Sequence, residues 1–226
     1  MNRLILIGNG FDLAHGLKTN YHDFILDYLK GCIDLAFNNP NISLNQSKII
    51  ERYSDELLSI GFSSLPNIQF DKVSTKTGML NRINESKSVI QLLNYIQSYE
   101  IKIDYRGSGF VNLLFNECVV KNWVDIESLY YEELKKRLLQ YNKNKDYDGN
   151  VSGVIGNLKH LNNQLEFLKN KLEDYLLKIE KENKSKINSL SDLIHHWLNK
   201  NTFIDKSDHL LILNFNYTAT PKKYLK

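Results

Sequence analysis

A chain of 226 residues is long enough to bury a substantial core, as one domain or as two small ones. With 42% hydrophobic and 24% charged residues, its composition is that of a folded globular protein and not of a disordered one. A net charge of +3 tolerates an anionic partner without demanding one, and with no dense basic patch nucleic acid is not the expected partner.

The first element is the run Leu4-Ile5-Leu6-Ile7, which suits a strand buried on both faces. It is too short for the apolar core of an export signal, and Asp12 and His15 follow where such a core would continue. No apolar stretch long enough to span a bilayer occurs anywhere in the chain, so no membrane segment is expected and the protein reads as soluble and cytoplasmic. Directly after the run come Gly8-Asn9-Gly10 and then Gly16, three of the chain's 11 glycines in one short stretch.

Thr19 or Asn20 can cap a helix that carries Phe24, Ile25, Tyr28, Leu29 and Ile33 on one face. Helices are also expected near 46–60, 87–98 and 110–141, and the polar stretch 62–86 reads as a loop. The cluster N-K-N-K-D-Y-D-G-N at 142–150 reads as a turn. Beyond Gly156, Leu158, Leu165, Leu172 and Ile179 recur every seven residues, with Leu161, Leu168 and Tyr175 interleaved. Either this segment is a coiled-coil arm that pairs two copies of the protein, or it is one helix of an intramolecular hairpin packed on 110–141. Leu210-Leu211-Ile212-Leu213-Asn214-Phe215 then reads as a second strand.

Cys32 and Cys118 stand far apart with no CxxC or Cys/His cluster, so neither a disulfide framework nor a metal site is expected. His195 and His196 are adjacent on an expected helix and point in different directions, which argues against a shared metal. Nothing around His22 or His160 suggests a role.

The expected fold is therefore α/β. The two terminal strands pair in parallel, with the helical middle as their crossover. Residues 1–38 and 205–226 would form a nucleotide-binding part, and 39–204 a mostly helical insertion with a helical hairpin at about 110–185. A strand, a glycine turn and a helix present backbone N–H groups to a phosphate, and the helix N-terminus adds partial positive charge. Gly8-Asn9-Gly10 fits the first half of the dinucleotide fingerprint, but Leu13 stands where its third glycine belongs. The plain alternative is a tight turn that holds no ligand.

The spacing Gly8-Asn9-Gly10 to Gly16-Leu17 is similar to the cofactor loop of sirtuin-like NAD-binding domains, which also carry a later N-Y motif comparable to Asn216-Tyr217. A closer resemblance joins three motifs in order: I-G-N-G-F-D-L-A-H-G-L-K-T-N-Y-H-D-F from Ile7, W-V-D-I-E at 123–127, and N-F-N-Y-T at 214–218. Together they resemble the AbiH family of bacterial abortive-infection proteins, in which an infected cell halts phage propagation at its own expense.

That resemblance implies a small parallel, Rossmann-like (sirtuin-like) sheet with a nucleotide pocket at the C-terminal ends of its strands. Gly8 and Gly10 would cradle the phosphates, Asn9 would line the rim, and Gly16 would belong to the same cofactor-binding loop. Asn216 would hold the nicotinamide amide or a ribose hydroxyl, because an amide both donates and accepts. Tyr217 reads as a core aromatic. His15, inside the loop, would meet a phosphate or act as an acid or base, unless it only faces solvent. Cleavage of a nicotinamide–ribose bond passes through an oxocarbenium-like state, and Asp12 or the pair Asp125 and Glu127 would supply stabilising charge. The plain reading of the last two is that Asp125 caps a helix and Glu127 sits in its first turn.

The chain also departs from these patterns. Asp12 stands where sirtuin-like loops place Ser or Thr, Lys18 where they place Pro, and Thr218 where the N-Y motif continues with an acid. Related proteins continue beyond the equivalent of Lys226 with further strands and a histidine that nothing here matches, so the expected sheet is incomplete. Two functions follow. One is a phage-defence enzyme that binds and hydrolyses a nucleotide such as NAD. The other is a non-catalytic module that senses a phage component, or associates with itself or another protein, through its helical insertion. A nuclease is a third and thinner reading, resting on the acids and the slight positive charge.

Overall fold

The computed structural model describes residues 3–8, 10–38, 49–63, 73–99, 101–106, 109–121, 125–144, 151–182 and 210–214. In chain order the elements are β1 (Arg3–Ile7), α1 (Gly10–Ala14), α2 (Tyr21–Asn38), β2 (Ile49–Ser54), β3 (Leu58–Ser63), α3 (Val73–Glu85), α4 (Val89–Gln97), β4 (Ile101–Tyr105), α5 (Gly109–Lys121), α6 (Ile126–Asn144), α7 (Val151–Glu182) and β5 (Leu210–Asn214). They divide into two compact units, one from Met1–Asn20 with Leu172–Lys226 and one from Tyr21–Lys171.

The expectation of a small parallel Rossmann-like, sirtuin-like sheet is overturned. Most described residues are helical, and the larger sheet is antiparallel, three-stranded and ordered β2-β3-β4. The physical reason lies in the connections. Repeated parallel strands need repeated crossovers, whereas β2 and β3 are joined by a tight turn at 55–57 that permits only antiparallel pairing. The segment 46–60, expected as helix, contributes instead to this hairpin. Leu58, Ile60 and Phe62 are buried at steps of two, which is the strand period. In β4, Ile101 is buried while Lys102 and Asp104 are exposed.

In the second unit the core is built around α2. Phe24, Ile25, Leu29, Ile33, Ala36 and Phe37 are buried on it. It packs against β2, β3, α3, α4 and α5. From the other helices come Val89, Leu92 and Ile96 of α4 and Phe110, Leu114 and Phe115 of α5. Residues 73–85, expected within a loop, form α3, which buries Met79 and Ile83 four residues apart. The expected stretch 110–141 is two helices, α5 and α6.

Helices α6 and α7 run antiparallel. Tyr130 Oη donates to Asn162 Oδ1 at 2.6 Å, and Arg137 donates to the Asn157 carbonyl at 2.5 Å. On α7 the positions Leu161, Leu168 and Tyr175 are buried, and the alternate heptad positions Leu158, Leu165, Leu172 and Ile179 are half-buried. Gln164, fully buried, donates from Nε2 to the carbonyls of Glu56 at 3.1 Å and Arg106 at 2.9 Å, which ties the turn of the hairpin and the exit of β4 to α7. Residues 145–150 of the expected turn, and His195 and His196, lie outside the described residues.

In the first unit β1 pairs with β5 in parallel, from Arg3↔Leu210 to Ile7↔Asn214. Among the described residues this is a two-stranded ribbon. Leu6 is 62% exposed and its partner Leu213 is exposed too, so the strand is not buried on both faces as its apolar run implied.

Candidate functional site in the turn after the first strand

A set of backbone hydrogen bonds closes the turn that follows β1. The Phe11 amide donates to the Gly8 carbonyl at 2.8 Å and starts α1. Two bonds end that helix: Gly16 N–H to Leu13 O at 2.9 Å and Leu17 N–H to Asp12 O at 3.1 Å. This pair is the Schellman closure, which requires a left-handed residue after the last turn. Gly16, at φ +72°, fills that position. The His15 amide adds a third bond, to Asp12 O at 3.0 Å.

Two polar side chains lie inside the turn. Asp12 is 0% exposed and His15 is 9% exposed. The His15 ring sits 4.7 Å from the Phe11 ring, and its Nδ1 is 2.7 Å from the Phe11 carbonyl. A carbonyl only accepts, so Nδ1 carries a proton and donates, which leaves Nε2 as the basic atom of the neutral ring. Thr19 is buried, and the neighbouring Lys18 carbonyl accepts a hydrogen bond from Tyr175 Oη of α7 at 2.7 Å.

Gly8 and Gly10 differ from the chain's other explained glycines. Gly16 is required by its φ. At Gly109 a Cβ would come 2.9 Å from Glu133 Oε2, so that side chain would have to shift. At Gly8 and Gly10, both exposed, no described residue lies within 4 Å of where a Cβ would be, and neither φ falls in the left-handed range. Among the described residues packing and conformation give no reason for glycine at either position, as they give none at Gly31, Gly78 and Gly156, which lie within helices.

Of the other sequence candidates, Asn9 and Asn216 lie outside the described residues, as do Trp123 and Tyr217. Asn214, paired with Ile7 at the end of β5, precedes Asn216 by two positions in the sequence. Asp125 and Glu127 belong to the second unit. Asp125 caps α6: its Oδ1 accepts from the Ser128 amide at 2.9 Å and its Oδ2 from the Ser128 hydroxyl at 2.8 Å. Those bonds, the amide first, hold the Asp125 carboxyl below the usual carboxylate range. Glu127 is exposed in the first turn and accepts from Tyr21 Oη at 3.3 Å, so W-V-D-I-E meets the tyrosine of the N-Y-H-D-F stretch.

One polar cluster went unread in the sequence. Asp55 Oδ2 accepts from Tyr28 Oη and Tyr53 Oη, each at 2.7 Å, with Cys32 Sγ at 3.9 Å. Burial, followed by the neighbouring Asp55 charge, pushes the Cys32 thiol up to about 12. Burial is also the first cause of the rise at Tyr28 and Tyr53. A thiol raised this far stays neutral and unreactive near pH 7, so the cluster braces the hairpin and offers no nucleophile. The D-E between two apolar runs was the available turn signal.

No described helix is long and apolar enough to cross a membrane, and the described residues contain no cluster of three metal-ligating side chains. No curated protein and no solved structure matches this chain. The family model described as bacteriophage abortive infection AbiH matches residues 4–226, a span that runs from β1 past the N-F-N-Y-T motif. The chain belongs to the AbiH family of bacteriophage abortive infection proteins.

Proposed function

We propose that this AbiH protein serves abortive infection by taking a nucleotide, NAD before others, onto the turn between β1 and α1, and by cleaving its nicotinamide–ribose bond. The observation that carries this reading is the open backbone at Gly8 and Gly10 in the turn between a strand and a helix, where no described residue stands within 4 Å of an added Cβ. A pyrophosphate lying against that backbone supplies a reason for glycine there, because a Cβ would occupy its space. No Rossmann-like sheet is needed for this contact.

In the cleavage, water adds to the ribose anomeric carbon as the bond to nicotinamide breaks. The bonding pair leaves with the nicotinamide ring nitrogen, and the water's proton passes to a base or to solvent. Asn216 is assigned to orienting the amide or the ribose, and Asp12 to stabilising the positive sugar. His15, with a basic Nε2, is assigned to the phosphate or the proton.

The test is incubation of the chain with NAD and chromatography of the products, with Asn216→Ala as control. Nicotinamide released by the parent and not by the variant upholds the enzyme. Heat stabilisation by NAD or ADP-ribose without turnover leaves a nucleotide-binding protein. Neither effect overturns the nucleotide reading.

A second reading keeps its own observation. Val120 of α5 is 78% exposed and Tyr131 of α6 is 66% exposed, with Leu138 and Leu139 of α6 exposed as well. These apolar side chains favour a module that associates with a phage component or a second copy through its helices. Light scattering of the purified chain, and of a variant with Tyr131 and Leu138 changed to Ser, separates self-association from the nucleotide reading.

A further inference from the structure

We propose that Tyr175 is the positioning residue of the glycine turn, fixing from α7 the place at which the backbone at Gly8 and Gly10 meets its ligand; this rests on the nucleotide reading above. The Schellman closure holds the turn as far as Leu17, and beyond it the chain must leave in a defined direction for the open side of Gly8 and Gly10 to keep its place. That exit is where Tyr175 acts. Its hydroxyl donates to the Lys18 carbonyl at 2.7 Å, across 157 positions of sequence, and its ring is buried. Thr19, the next residue, is buried as well.

The tether is directional. A carbonyl between a left-handed glycine and a buried threonine has few orientations open to it, and one hydrogen bond to a rigid helix selects among them. A 32-residue helix is a stiff support for such a donor. The other buried residues of this heptad row are the leucines Leu161 and Leu168. The hydroxyl of a tyrosine is the part that hydrophobic packing does not require.

The experiment compares the full-length parent with Tyr175→Phe, which keeps the ring and removes the donor. Hydrogen exchange of peptides covering 8–20 is measured together with the thermal midpoint and the affinity for NAD. We expect exchange in 8–20 to quicken about tenfold, the scale of one lost hydrogen bond, while the rest of the protein exchanges as before. NAD affinity should fall by a similar factor. Unchanged exchange in 8–20 overturns the proposal, and so does acceleration spread evenly over the molecule, which is what a purely structural role produces. If the parent takes up no NAD, the nucleotide reading falls by itself. Exchange in 8–20 then still tests the tether itself, and unchanged exchange overturns it; in a parent that binds NAD, quickened exchange with unchanged NAD affinity overturns the positioning role.

Discussion

Two turns in this molecule solve the same problem in opposite ways. The turn between β2 and β3 is closed from within by one carboxylate. Asp55 accepts from the amides of Leu57 and Leu58 with Oδ1, at 2.8 and 3.0 Å, and from Tyr28 and Tyr53 with Oδ2. The turn between β1 and α1 is closed by backbone hydrogen bonds, with one more from His15 Nδ1 to the Phe11 carbonyl, and no described residue stands within 4 Å of a Cβ added at its two leading glycines. A turn whose polar atoms are all used inward is architecture. One that leaves bare backbone facing outward is shaped for something outside the chain.

The largest effect expected from that contrast is at Asp55. Replacing it with Ala removes four acceptor contacts and strands two tyrosine hydroxyls in the interior. The cost should reach about 3 kcal/mol, in the upper part of the range for single substitutions. Urea unfolding measures it, with Tyr53→Phe as a one-bond reference near ~1 kcal/mol. A loss at Asp55→Ala no larger than the reference would mean that the two turns do not differ in kind.

A smaller effect, readable in its pH dependence, is expected at Asp125. Its folded carboxyl is held below the ordinary range by the Ser128 amide and hydroxyl. A depressed carboxyl contributes stability that is fully present above its unfolded value of about 3.9, and that is lost as pH falls through the lower folded value. Asp125→Asn keeps a capping acceptor and loses the titration. The difference in thermal midpoint between parent and variant should therefore favour the parent near neutrality and shrink as pH drops below about 4. A difference that stays constant with pH would show that the carboxylate's charge does not matter to the cap.

How far the fold could be read in advance follows from where each signal resides. The face Phe24, Ile25, Tyr28, Leu29, Ile33 is a local 3.6-residue pattern, and all five residues are buried on α2. The segment 46–60 misleads because Ile49, Ile50, Tyr53, Leu57 and Leu58 also fall on one helical face. The strand period becomes evident only once Leu58, Ile60 and Phe62 are counted past the turn. Helix α3 escapes notice because, among its described side chains, only Met79 and Ile83 are buried apolar residues, set amid polar ones. Strands at the two ends suggest a parallel Rossmann-like sheet, and no local signal shows that the middle builds its own antiparallel sheet. For the candidate site the division is similar. The glycine turn is contiguous and so legible. Its tether at Tyr175 comes from a position that reads as one more apolar heptad residue.

The smallest expected change in stability is the sharpest test of the comparison. Gly8→Ala and Gly10→Ala add a methyl group where no described residue stands within 4 Å, at backbone angles outside the left-handed range. Stability should stay within about 0.5 kcal/mol of the parent, as for surface substitutions free of packing or strain. Gly16→Ala is the internal control. Its φ of +72° disfavours any side chain, and it should lose about 1 kcal/mol or slightly more. If a ligand explains the leading glycines, the two silent variants are the ones that lose NAD affinity, by at least about tenfold, because the added methyl stands where the phosphate lies. Full affinity in both variants would leave Gly8 and Gly10 without a role in binding. The open turn would then be only a short way of entering a helix.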